Sequence, residues 1–205
     1  MQVRHYLSFA VTVLVAFSVA SVETAVGSVN GNTHENTMFE KNLTAKLFNF
    51  FDRVHEQRVR FAAKHGVTDP VALVASVMHS PMANLLISIA IEESRGDPIA
   101  IGSSGEQGAW QVRASSWGQV PKDIIGQAGQ AEKIIRSLLI GTKGNRKKAL
   151  AHYNGGTTPP GRSYLYAERI LKRTKRLQVA VNHLQANYSM LRQAMLEPPC
   201  ISWLL

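Results

Sequence analysis

"SPMANLLISIAIEESRGDP", residues 80–98, reads as one helix with its start and stop signals in place. Ser80 is a capping residue and Pro81 suits the first helical position, where no hydrogen bond is lost. Gly96 and Pro98 close the segment, so the spacing predicts a helix over 81–95. Each helical residue advances about 100° around the axis. Asn84, Ser88 and Glu92 then form a polar stripe, while Leu85, Leu86, Ile89 and Ala90 form an apolar arc on another side. Glu92 is expected to be a solvated surface acid. Glu93 falls inside the apolar arc, between Ile89 and Leu86, at the last turn.

A carboxylate in that position costs free energy unless it is paired or neutral. Apolar surroundings and the C-terminal end of a helix dipole both raise its pKa. Glu93 is therefore a candidate proton donor near neutral pH. A plain salt bridge at the helix end, for example with Arg95, is the other reading of the same geometry.

Working towards the N terminus, "TDPVALVASVMHS" repeats the grammar, with Asp69 as cap and Pro70 at the first helical position. Before it, Leu43, Leu47, Phe51 and Val54 recur at helical spacing, and Gly66 stops that helix. Residues 38–80 are thus expected to be N-terminal helices. Residues 21–37, "SVETAVGSVNGNTHENT", are polar and read as a flexible leader. Residues 1–20 hold Arg4 followed by the apolar run "LSFAVTVLVAFSVA", the layout of a secretory signal peptide. An uncleaved anchor is the competing reading, but the run is short against the roughly 20 residues a spanning helix needs. Export to the periplasm or cell envelope is the expectation. The single cysteine, Cys200, excludes an internal disulfide framework.

Towards the C terminus, residues 99–112 are Gly-rich with scattered β-branched residues, and read as a loop or small hairpin. Helical patterns return at 127–141, 145–153 and 162–196. Leu177, Val181, Leu184, Tyr188, Leu191 and Met195 make a narrow apolar stripe, so 177–205 is read as an amphipathic helix and tail. With no alternating strand series and 45% hydrophobic residues, the chain is expected to be all-α with a real core.

Four short motifs now stand in order: Glu93-Ser94; Gly105, Gly108 and Gln111; Tyr153, Asn154 and Gly156; Tyr166 with Arg169 and Ile170. This order and spacing resembles the soluble lytic transglycosylase (SLT) family, with a goose-type-lysozyme-like domain over 81–176. The resemblance implies cleavage of peptidoglycan between N-acetylmuramic acid and N-acetylglucosamine, with Glu93 as the single catalytic acid and then base. It implies a 1,6-anhydro product, no metal and no cofactor. It places Ser94 in the cleft wall, Gln111 and Asn154 on N-acetyl or hydroxyl groups, and Tyr166 on the Glu93 carboxyl. Tyr153 is open between core and cleft.

The sequence departs from the family pattern at Glu106, where Ala is usual, and at Trp110, where Met is usual. Trp110 is expected to stack on a sugar face. Glu106 adds a second acid near the cleft, so a hydrolytic, lysozyme-type muramidase remains an alternative. A non-catalytic wall-binding module is another. Net charge is +9, and 141–176 carries ten Lys or Arg against Glu168 alone. A solvated face or an anionic envelope surface explains that span. Nucleic acid is not expected, since no recognition motif accompanies the charge. Other motifs fail: "HEQRV" at 55–59 lacks the second His of a zinc site, and "GTKGNRKK" at 141–148 lacks phosphate-loop spacing.

Overall fold

The computed structural model describes residues 52–196, with side chains to residue 184. The signal and leader readings, the stripe at Leu43, Leu47 and Phe51, the side chains of Tyr188, Leu191 and Met195, and Cys200 lie outside the described residues. Apart from residues 52 and 53, the described chain belongs to one compact unit beginning at Val54. It is predominantly helical, with one two-stranded hairpin, as the sequence leads one to expect.

Helix α1, described over 52–64, buries Val54 and Ala62 and ends at Gly66, whose φ of 76° is left-handed. Helix α2, Pro70–Ser76, starts as predicted: the Asp69 side chain accepts from Ala72 N at 2.9 Å. It buries Leu73 and Val74.

Helix α3, Ala83–Glu93, begins two residues later than the capping signals predict. Ser80 Oγ accepts from Met82 N at 3.0 Å, which makes a turn ahead of the helix rather than its first position. Every residue of α3 from Ala83 to Ile91 is buried, so this is the central helix of the core. Here the solvent-facing stripe needs correcting. Asn84 and Ser88 are buried: the Ser88 hydroxyl donates to Asn84 O within α3 at 2.7 Å, and the Asn84 side chain meets other helices. Asn84 Oδ1 accepts from Arg58 Nε of α1 at 2.9 Å, and Asn84 Nδ2 donates to Gln178 at 2.7 Å. A polar stripe on a helix shows where polar partners lie, not that those partners are water.

Strands β1, Glu106–Gln107, and β2, Val112–Arg113, pair antiparallel, with Glu106 opposite Arg113. A short helix α4, Ala114–Trp117, follows. Helix α5, Ile124–Gly141, is capped by Asp123, whose carboxylate accepts from Gly126 N at 2.8 Å. Helix α6, Arg146–Gly155, is capped by Asn145, which accepts from Lys148 N at 3.0 Å. Helix α7, Gly161–Leu196, runs 36 residues without a break, through 176 and 177 alike. Its buried face includes Tyr166, Ala167, Ile170, Leu177 and Val181, and it packs on α3 and α6. Among the described residues no helix is long and apolar enough to cross a membrane.

Candidate functional site

Glu93 is the last residue of α3, and Ser94 is its C-cap. The chain then turns sharply through two left-handed residues, Arg95 at φ 59° and Gly96 at φ 76°. The turn sends residues 97–111 back across the end of α3. Glu93 is left facing α7, where Tyr166 Oη donates to Glu93 Oε1 at 2.5 Å.

Burial pushes the Glu93 carboxyl up to about 7. The Tyr166 hydrogen bond opposes the rise, and the negative charges of Glu92 and Glu106 reinforce it. Near neutral pH this group is poised between donor and acceptor of a proton. Tyr166 is 4% exposed, and burial with the Glu93 charge beyond it holds its phenol well above the usual range. It therefore stays a neutral donor.

Glu92 differs from the expectation of a solvated acid. Its side chain is 17% exposed and pairs with two arginines of α7: Arg169 Nε to Oε1 at 2.7 Å and Arg173 Nη1 to Oε2 at 2.9 Å. Burial works to raise its pKa, but the hydrogen bonds and charges of both arginines bring the net value below the usual carboxylate range. The neighbouring carboxyls are thus pushed in opposite directions, Glu92 ionised and Glu93 protonatable. Separation of this kind marks which acid can give up a proton.

Loop 97–111 is pinned from several sides. Ser94 Oγ donates to Ala109 O at 2.9 Å and accepts from Asp97 N at 3.0 Å. Tyr153 Oη donates to Trp110 O at 2.7 Å, so this tyrosine fastens the loop to α6. Its buried phenol is also pushed well above the usual range, by burial and then by the Glu93 charge. Gln111, at φ 46°, donates through Nε2 to Ala100 O at 3.2 Å and Gly108 O at 2.9 Å. Both donors of Gln111 and the one donor of Ser94 are committed to the loop, which leaves acceptor capacity for anything bound beside it. Asn154 is exposed, and its Oδ1 accepts from Ser163 Oγ at 2.9 Å.

The expectation that Trp110 stacks on a sugar is corrected. Trp110 is 1% exposed and its Nε1 donates to Leu86 O at 3.0 Å. A tryptophan consumed by the core in this way holds the loop to α3 and offers no face to a ligand.

One organising residue escaped the sequence reading altogether. Gln127, on the first turn of α5, is buried; its Oε1 accepts from Ala109 N at 2.9 Å, and its Nε2 donates to Pro98 O at 2.9 Å and Pro121 O at 3.0 Å. The same side chain accounts for Gly108. A Cβ there would lie 2.4 Å from Gln127 Oε1, and the φ of 76° is itself left-handed.

Glu106 sits on β1, with its Oε1 2.5 Å from Arg113 Nη2, and a side chain 24% exposed. The Arg113 hydrogen bond holds its carboxyl below the usual range. Among the described residues no group of three or more His, Cys, Asp or Glu is placed to hold a metal ion. The model of the family described as "Transglycosylase SLT domain" matches residues 71–173, half of the chain. Neither a curated protein nor a solved structure matches it.

Proposed function

From the transglycosylase SLT domain family, to which this chain belongs, we propose that it is a lytic transglycosylase cleaving the MurNAc–GlcNAc β-1,4 bond of peptidoglycan without water. The observation that carries the reading is the Glu93–Tyr166 pair: one desolvated carboxyl, raised to about 7 and oriented by a neutral phenol. Protonated Glu93 gives its proton to the glycosidic oxygen as the bond to muramoyl C1 breaks. The resulting carboxylate takes the proton of the muramoyl C6 hydroxyl, and that oxygen closes on C1. Glu93 ends protonated again, and the product carries a 1,6-anhydro ring. The scheme needs one acid and no cofactor.

Gln111 and Asn154 are the proposed contacts to the glycan, through their remaining polar capacity. Ser94 and Tyr153 act by shaping the wall. The reaction belongs in the cell envelope, where peptidoglycan lies, and the basic start and apolar run of 1–20 support export. Glu106 supports no hydrolytic route, because its pairing with Arg113 weakens it as a base.

Mass spectrometry of products from purified sacculi tests the reading. Anhydro ends, one water lighter than hydrolysed ends, are expected from the wild type and from Glu106→Ala. Hydrolysed ends that vanish in Glu106→Ala would instead make the protein a muramidase, and no release at all would leave a wall-binding module.

A further inference from the structure

Helix α7 presents Tyr166, Arg169 and Arg173 at i, i+3 and i+7, which places them along one side of the helix. Each grips the end of α3. Tyr166 takes Glu93 Oε1, Arg169 takes Glu92 Oε1, and Arg173 takes Glu92 Oε2. Arg173 also donates to Ser88 O at 3.2 Å, one turn earlier on α3. Two adjacent carboxyls, about 100° apart around their axis, are thus held by a single face of the opposing helix. Rotation of the last turn of α3 has to break the two arginine contacts as well as the Glu93–Tyr166 hydrogen bond.

The same contacts set the charge next to the acid. Glu93 is faced by Glu92 from its own helix, by Tyr166 from α7, by Tyr153 from α6 and by Glu106 from β1. Glu106 is offset by Arg113, and Glu92 by Arg169 and Arg173. Without its arginines Glu92 is a bare anion beside a carboxyl. Without Glu92 the arginines are two unopposed cations in the same place.

We propose that Glu92, Arg169 and Arg173 form a positioning triad, which locks the last turn of α3 onto α7 and fixes the charge beside Glu93. Only the claim that Glu93 is the catalytic acid rests on the function proposed above.

Opposite charge changes must then move Glu93 in opposite directions. The carboxyl carbon of Glu93, assigned with Glu93→Gln, is followed by 13C NMR through a pH titration of the full-length protein without substrate. Glu92→Gln should lower its midpoint by roughly one pH unit, and Arg169→Gln with Arg173→Gln should raise it by a similar amount. The triple variant should return it towards the wild-type value. On sacculi, the alkaline limb of the pH–rate profile should shift the same ways, with about a fivefold loss for Glu92→Gln at pH 7. Shifts in the same direction for both sets, or no shift, overturn the triad whatever the activity. Opposite shifts in a protein that releases no muropeptide sustain the triad and overturn the catalytic role of Glu93. If Glu92→Gln does not fold, Arg169→Lys with Arg173→Lys carries the test. Charge is kept and the guanidinium geometry lost, so the midpoint should hold while kcat falls; a midpoint displaced as in the glutamine variants overturns the proposal.

Discussion

Glu93 is costly to the fold that holds it. A carboxyl raised from 4.5 to about 7 contributes stability that is fully present below pH 4.5 and lost as pH rises through 7. Glu93→Gln removes the ionisation, so the variant should be more stable than the wild type by about 3 kcal/mol at pH 8, and the two should converge at pH 4. Denaturant melts at the two pH values measure this; muropeptide release should be abolished at both. Tyr166→Phe acts with a different sign. Its hydroxyl favours the ionised form of Glu93, so its loss should move the alkaline limb of activity upward while kcat falls about tenfold through lost orientation. At this scale the sequence was partly legible. The phase of α3 put Glu93 among apolar residues, and the motif order implied Tyr166 as its partner. Glu92 was misread because periodicity reports polarity and not the neighbour: Arg169 and Arg173 stand 77 and 81 positions away, and nothing in helix phase pairs them with it.

At the scale of elements, the helix starts at Asp69–Pro70 and Asn145 and the hairpin, expected over 99–112 and found at 106–113, follow from local chemistry, and local chemistry is what a sequence displays best. The loop between α3 and β2 was harder. Its shape comes from Gln127 and Tyr153, which reach it from α5 and α6, and from its own Trp110, which reaches back to Leu86 of α3; a lone Gln on a first helical turn carries no signal of that task. Trp110→Ala should cost about 3–5 kcal/mol by emptying a fully buried site beneath the loop. A urea melt measures the loss. If Trp110 were a sugar platform instead, stability would be untouched and only KM would rise. Gln127→Leu should strip Ala109 N of its acceptor and free two carbonyls, lowering stability by about 1–3 kcal/mol and loosening the wall beside Glu93. Its hydrogen exchange should rise at Ala109 more than in α7.

Over the whole molecule, charge is divided as unevenly as function. Residues 141–176 contain ten basic side chains and one acidic, so they account for the entire net charge of +9, and the remainder of the chain balances. Lys147 is taken by Glu168, and Arg169 and Arg173 by Glu92. Lys148, Lys172, Lys175 and Arg176 are exposed, and they take no part in the proposed chemistry. Reversing these four to Glu should weaken binding to sacculi, more at low salt than at high salt, because exposed charges act over a Debye length of about 10 Å at 0.1 M. Cleavage of short soluble glycans should persist. Sedimentation with sacculi across a salt series checks this, and unchanged binding would mark the span as solvated surface only.

The hydrogen bond that completes the acid joins residues 73 positions apart. A ribosome therefore delivers Glu93 well before it delivers Tyr166 and the rest of α7. In that interval the carboxyl is hydrated and ionised at neutral pH, with no proton to give. The acid of the proposed reaction thus stays ionised until Tyr166 is made, and the proposed cleavage waits on the folding of α7 against α3.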